Sequence, residues 1–457
     1  MIKKLFDKFK QERDLTSISI SKAIWLLAIP MIISNLLQAT YNLVNMVWVG
    51  RLGPDALAAV AMSGNILMVV MFLMMGVAIG TTAMIARFLG AKQTAEANNV
   101  AVQSLILGFI ASIVLGVIGY YFSPWLLKVL GAGPDVLNLG IGYMRITFVG
   151  ILVMFYMFFI AAILQGAGDA ATPMIILGVS VLINAGLDPL LIFGIGIFPK
   201  MGVNGAALAT VIAEAIGSLI ALEILLKGRS RVRVTLKNVK VDWNMMGRIL
   251  KIGIPASTQM VLRGLMGLVL VAIVARFGTQ AIAAYGVGMR LSMLAMMPGF
   301  ALGAAAATLV GQNLGAGKPE RAVTSAWVAV GYYLIFMLFL AALFWFCAPQ
   351  LMMGFNNDVE VVRIGSEFLR FIAVGNAFTA VGLILGRAIA GSGDTLPTMM
   401  FTLVSLWLVQ IPLAVFLARL PAFGLSGVWL AVLIAQVILM LLNAMYFQWG
   451  GWKWKKV

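Results

Sequence analysis

Long apolar blocks separated by short polar or glycine-rich breaks dominate this chain. They fall near 24–49, 57–86, 95–122, 136–164, 173–197 and 203–226, and again near 249–275, 281–310, 321–347, 362–388, 398–418 and 424–447. Each is of the order of the ~20 residues that an α-helix needs to cross a hydrocarbon layer. The pattern predicts twelve membrane-crossing helices, six before and six after a polar stretch at 227–248.

The two halves repeat each other. A shift of 225 residues carries Ile29-Pro30 onto Ile254-Pro255, Arg51-Leu-Gly onto Arg276-Phe-Gly, Leu89-Gly-Ala onto Leu314-Gly-Ala and Gly166-Ala-Gly-Asp169 onto Gly391-Ser-Gly-Asp394. After a slip of three residues, Gly202-Val-Asn-Gly205 matches Gly424-Leu-Ser-Gly427. Duplicated membrane halves suit alternating access, because a site at the seam between repeats opens to either side as one rocks against the other. A duplication kept only for packing is the alternative. The expected organisation is a basic N-terminal segment (1–23), an N-lobe (24–226), a basic linker (227–248), a C-lobe (249–447) and a basic tail (448–457).

Composition agrees with lipid as the solvent: 62% of residues are hydrophobic, 11% are charged, and mean hydropathy is +1.04. Charge sets the orientation. Lys3, Lys4, Lys8, Lys10, Arg13 and Lys22, the eight basic residues from Lys227 to Lys251, and Lys453, Lys455 and Lys456 join Arg87, Lys92, Lys318 and Arg321 on the side shared by both termini. Only eight basic residues fall in the opposite loops. The positive-inside bias therefore predicts two cytoplasmic termini in a multi-pass protein of the cell (inner or plasma) membrane. Six spans per half make the second half enter the bilayer in the same sense as the first. The fold class expected is an all-α integral membrane protein with two six-helix lobes related by a pseudo-two-fold axis along the membrane normal. The net charge of +16 reads as topology and as attraction to anionic lipid, not as a nucleic-acid surface. The first apolar run is too long for a signal-peptide core, so the N-terminus is expected to be retained. Ahead of it, Ile2, Leu5, Phe6 and Phe9 share one helical face, readable as an interfacial anchor or as part of a basic tail without structure.

The chain has one cysteine, Cys347, and no histidine, which excludes an intrachain disulfide and removes the commonest metal ligand. No cofactor is expected. An enzyme would need paired carboxylates, a metal-ligand cluster or a nucleophile with its base, and none is visible, so the protein is read as no enzyme. Glycine-rich turns at 166–169 and 391–394 follow helices and are too short for nucleotide loops. The 29 methionines read as apolar filler before they read as a pliable binding wall.

Ionisable residues inside spans carry the functional signal, since each costs about 2.5–3.5 kcal/mol or more at the bilayer centre. Asp188, Glu214, Arg263 and Arg290 lie well inside. Asn184 is one helical turn before Asp188 and shares its face. Counting about 1.5 Å per residue puts Asp188 roughly 22 Å along the fifth span and Thr210 roughly 12 Å down the sixth, at similar depth. Asn45, near the outer end of the first span, falls in the same layer. One carboxylate, two amide carbonyls and a hydroxyl would make an oxygen-lined pocket suited to Na⁺ or a proton. Alternatively, Asp188 caps structure beside Pro189 or pairs with an arginine. Gln38, Tyr41, Glu214, Arg263 and Arg290 are further candidates for coupling or substrate contact.

The Ile-Pro pairs, Tyr41-Asn-Leu, Trp48-Val-Gly-Arg-Leu-Gly53, Gly166-Ala-Gly-Asp169, Asn184 with Leu187-Asp-Pro189, and Gly205-Ala-Ala-Leu-Ala-Thr210 together resemble the multidrug and toxic compound extrusion (MATE) transporters over nearly the whole chain. The resemblance implies a secondary antiporter, acting as a monomer, that exports lipophilic and often cationic compounds in exchange for Na⁺ or H⁺ through two six-helix lobes. It also implies a cation site at Asn184, Asp188 and Thr210. Two departures stand out. The first-helix aspartate usual in that family is Asn45 here; Glu214, four residues after Thr210, could replace its charge, contact substrate or pack as a neutral group. In the second half, Arg263 and Arg290 replace acidic character with basic, which suits amphipathic, zwitterionic or anionic cargo unless they pair internally with Glu214 or Glu367. A flippase for lipid-linked precursors, from the same superfamily, is the alternative function.

Overall fold

The computed structural model describes residues 14–228, 230–234 and 240–455 of the chain. The proposed N-terminal anchor at Ile2, Leu5, Phe6 and Phe9 lies outside them. Among the described residues all regular structure is helical. The helices are α1 (Ile20–Gly50), α2 (Pro54–Gly90), α3 (Thr94–Val129), α4 (Pro134–Val149), α5 (Ile151–Gly166), α6 (Ala171–Phe193), α7 (Val203–Leu226), α8 (Trp243–Phe277), α9 (Thr279–Gly315), α10 (Pro319–Phe346), α11 (Ala348–Met353), α12 (Val359–Gly391), α13 (Thr395–Arg419) and α14 (Gly424–Trp449). Eleven are long and apolar enough to cross a membrane. The pair α4 and α5, bent by 50° between them, passes the same test when taken together and brings the count to twelve if it is one span.

That bend is the main difference from the pattern of apolar blocks, which reads 136–164 as one run. It falls at Gly150, where a Cβ would sit 2.3 Å from Val211 on α7. The close approach fixes a glycine there, and glycine carries a high conformational cost in a helix. The corresponding Gly375 of α12 also faces a side chain closely, yet its helix runs through unbroken. The short α11 is a further addition, set off from α10 by Cys347.

Helix starts follow local chemistry. Gly53 and Gly278, 225 residues apart, precede α2 and α9 with φ of 113° and 99°, a region that favours glycine. Close contacts repeat too. A Cβ on Gly166 would lie 2.8 Å from the Thr82 carbonyl oxygen, and one on Gly391 would lie 2.3 Å from that of Ala307. Gly140 faces Leu127 as Gly365 faces Met352, and Gly205 faces Leu191 as Gly427 faces Leu417. The duplication is thus preserved as pairs of close glycine contacts inside each half.

Two compact units result. One takes Ile29–Gly253; the other takes Leu15–Ala28 and Ile254–Val457. The division falls inside α1 and α8, next to Pro30 and Pro255. A proline removes a helical hydrogen bond and weakens the helix where it sits. In the first unit α2 packs on α5 and α6 on α7; in the second α12 packs against α9, α10 and α14.

The stretch after α7 is tied to the first unit. Val232 and Val234 are buried. Asn98 accepts from the Arg233 amide (2.8 Å), Gln103 donates to the Lys240 carbonyl (2.8 Å) and accepts from the Asp242 amide (3.1 Å), and Asn99 donates to the Asp242 carboxylate (3.0 Å). Asp242 in turn accepts from the Met245 amide (3.0 Å) at the start of α8. These bonds hold its carboxyl below the usual range, the Met245 amide first and Asn99 next.

Candidate functional site

The approach of α6 and α7 is set by Gly205, whose Cβ would lie 2.5 Å from the Leu191 carbonyl oxygen. Only a residue without a side chain allows this, and it brings Thr210, a turn and a half further along α7, beside Asn184 on α6. Both Asn184 and Asp188 are fully buried. With its amide turned to satisfy its neighbours, Asn184 donates from Nδ2 to Asp188 Oδ2 (2.9 Å) and accepts at Oδ1 from the Thr210 amide (3.1 Å). In the opposite orientation Nδ2 points to Thr210 Oγ1 at 3.4 Å and the carbonyl oxygen turns to Asp188. Among the described residues Asp188 has no arginine partner, so the ion-pair alternative is not what the structure holds.

Helix α1 closes the group. Tyr41 Oη donates to Thr210 Oγ1 (2.8 Å), and Thr210 Oγ1 in turn donates to the Ala206 carbonyl (3.0 Å). Asn45 stands one turn after Tyr41 on the same face, and its Oδ1 is buried without a hydrogen-bond partner among the described residues. Trp48 and Val49 continue that helix into an apolar cluster with Ala56, Ile192, Val203 and Ala206.

Glu214 lies one turn past Thr210 on the same face of α7. It lines a cavity of about 180 Å³ together with Ser34, Gln38 and Tyr41 of α1, Met154, Met157 and Phe158 of α5, and Leu177 and Val181 of α6. Its Oε2 is buried without a hydrogen-bond partner among the described residues. The carboxylate and the Tyr41 phenol join Ser34, Gln38, Gln165 and Ser180 as the polar groups of a chamber whose other walls are apolar, and Tyr41 links it to the Asp188 network through Thr210. Tyr143 of α4 is within electrostatic reach of Asp188, Glu214 and Tyr41. It has no place in the sequence reading.

Arg263 and Arg290 belong to the other unit. Arg290 is exposed, while Arg263 is half-buried on α8. Neither pairs with Glu367, which instead accepts from Ser426. A third arginine inside the same unit, Arg387 on α12, does not stand out in the sequence; its Nε is buried and has no hydrogen-bond partner among the described residues.

The family model named MatE matches residues 30–190 and again 255–416, once in each half. The chain is 30% identical over 451 residues to the probable multidrug resistance protein YoeA of Bacillus subtilis, covering 96% of each chain. It is 26% identical over 442 residues to the probable multidrug resistance protein NorM of Thermotoga maritima, covering 96% of this chain and 94% of the relative. A crystal structure of MATE in the bent conformation superposes with a TM-score of 0.89 at 27% identity, covering 95% of this chain and 96% of that one. The repeated halves, the helical membrane fold and these matches agree: the chain belongs to the MatE family, that of the MATE transporters.

Proposed function

We propose that this protein is a secondary antiporter of the cell membrane, working as a monomer with both termini cytoplasmic, that exports lipophilic and often cationic compounds in exchange for Na⁺ or H⁺ by alternating access. The observation that carries the reading is the buried Asp188, joined to Asn184, Thr210 and Tyr41 and adjoining the Glu214 chamber. A carboxylate buried without a cationic partner is costly and is kept where its charge is used. The residues present fit a small cation. Asp188 offers carboxylate oxygen, Asn45 an unpartnered buried carbonyl oxygen, and Thr210 a hydroxyl whose proton is already committed to Ala206. Asn184 can present either end to Asp188: its NH₂ when the carboxylate lacks a counter-charge, its carbonyl oxygen when a cation sits between them. Apolar walls with Met154, Met157 and Phe158 suit lipophilic cargo, and the Glu214 carboxylate suits a cationic group on it.

Transport into vesicles of a cationic dye, driven by imposed Na⁺ or proton gradients, tests the reading. Asp188→Asn is expected to abolish gradient-driven exchange while the protein still inserts and melts as the wild type does. Full gradient-driven transport by a well-folded Asp188→Asn protein would remove Asp188 from the coupling role.

A further inference from the structure

The second unit holds arginines within its helices where the first holds Asp188 and Glu214. We propose that Arg263 and Arg387 form a binding site within it for the oxyanion head, carboxylate or phosphate, of an amphipathic molecule.

The two guanidinium groups lie within electrostatic reach of each other, on α8 and α12, and neither has an ion pair among the described residues. Every carboxylate of this unit is engaged elsewhere. Glu320 pairs with Lys453, Glu360 with Arg363, and Asp394 with Lys455 and Tyr446; Glu367 meets Ser426, and Asp358 caps α12. Two like charges inside a membrane helix bundle repel each other as well as losing hydration. An anion between them relieves both costs.

The surroundings hold the pair in place. Gln259, one turn before Arg263, donates to the Thr398 carbonyl (2.9 Å) and to Thr402 Oγ1 (2.8 Å) of α13, and Trp407 Nε1 donates to the Leu262 carbonyl (3.2 Å). Trp407 belongs to the turns Leu403–Gln410, which are π-helical, a geometry often found at functional sites. Arg387 lies across Gly303 of α9, where a Cβ would approach its Cγ to 3.0 Å, so the glycine makes room for the stem. Its buried Nε has no acceptor among the described residues.

The repeat sharpens the contrast. Arg263 occupies the place of Gln38 in the first half, Arg387 that of Ala162, and, after the three-residue slip, Gln436 that of Glu214. An acid and a glutamine of the first chamber have become a glutamine and an arginine, with a second arginine added.

The test is equilibrium binding to the purified full chain in detergent, with 11-(dansylamino)undecanoate as probe and its methyl ester as the uncharged control. Wild type is expected to bind the acid at least tenfold more tightly than the ester. Arg263→Gln and Arg387→Gln should each reduce acid binding about tenfold without changing ester binding, and Arg387→Lys, which keeps the charge and the packed stem, should retain most of it. Competition by inorganic phosphate would show that the oxyanion alone suffices; its failure, with acid preference intact, would show that the lipophilic body is required as well. Equal affinity for acid and ester, or glutamine variants that melt normally and bind the acid as wild type does, would overturn the proposal. Dye export by Asp188→Asn is a separate measurement, so failure of either inference leaves the other standing.

Discussion

Asn45 is where a single atom changes the expected chemistry. Its buried, unpartnered carbonyl oxygen leaves Asp188 as the one carboxylate of the hydrogen-bonded network. Asn45→Asp adds a second charge at the same level of α1, and is expected to strengthen Na⁺ binding by about tenfold or more and to slow release, so that exchange is tighter and slower. If Glu214 already supplies that charge, Glu214→Gln in the same protein restores wild-type turnover. Ion-binding isotherms of the single and double variants separate the cases, and unchanged binding in all of them places coupling elsewhere. Removing the Asn184 amide with Asn184→Leu takes away both its donor and its carbonyl, and a roughly 10- to 100-fold loss of cation affinity follows from the ~1.5–3 kcal/mol of a hydrogen bond to a charged group. Much of this site was readable in the sequence, because acids and amides in apolar runs stand out and helical spacing puts Asn184 with Asp188 and Glu214 with Thr210. Tyr143 was not, since a tyrosine near a helix end is equally an interfacial anchor. Arg387 was missed for a related reason: it falls at the edge of its apolar block, where a basic residue reads as a topology charge.

At the scale of elements, the apolar blocks predict helix positions closely because length and hydropathy dominate in lipid. What they omit is set by contacts invisible in a linear pattern: the bend between α4 and α5, and the docking of residues 230–234 and 240–242 on α3. That docking yields a prediction in pH. Asp242 has a lowered folded-state pKa, caused first by the Met245 amide and then by Asn99. Its contribution is therefore complete above the unfolded value of about 3.9 and disappears as pH falls through the lower folded value. Amide protection at 240–246, corrected for intrinsic exchange, is expected to be flat from pH 8 to about pH 5 and to fall only below about pH 4; Asp242→Asn should remove the acid step. Gln103→Leu leaves the Lys240 carbonyl and the Asp242 amide without their partner, and should destabilise the start of α8 by about 1–3 kcal/mol. Loss of protection at neutral pH in wild type would contradict this account of the anchor.

For the whole molecule the duplication is the governing fact, and its sense in the membrane decides what kind of machine the halves can make. Matching glycine contacts at Gly166 and Gly391, Gly140 and Gly365, and Gly205 and Gly427 show that the second half repeats the packing of the first. Asp169 and Asp394 repeat, but the site residues do not: Asp188 and Glu214 of the first unit have no acidic counterpart in the second, and Arg263 and Arg387 of the second have no basic counterpart in the first. Such asymmetry on a common framework is expected when one copy couples an ion and the other meets a different group on the cargo, provided both copies open to the same side. If each half has six spans, as the apolar pattern predicts, equivalent positions face the same compartment. Asp55 and Gln280, exposed at the starts of α2 and α9 and 225 residues apart, are the positions to compare. In a Cys347→Ser background, Asp55→Cys and Gln280→Cys are expected to react with a membrane-impermeant maleimide from outside intact cells, while Gln93→Cys and Asn244→Cys react only after permeabilisation. Reaction of positions 55 and 280 from opposite faces would make the repeats inverted, and would require the acidic site of one half and the basic site of the other to open to opposite compartments.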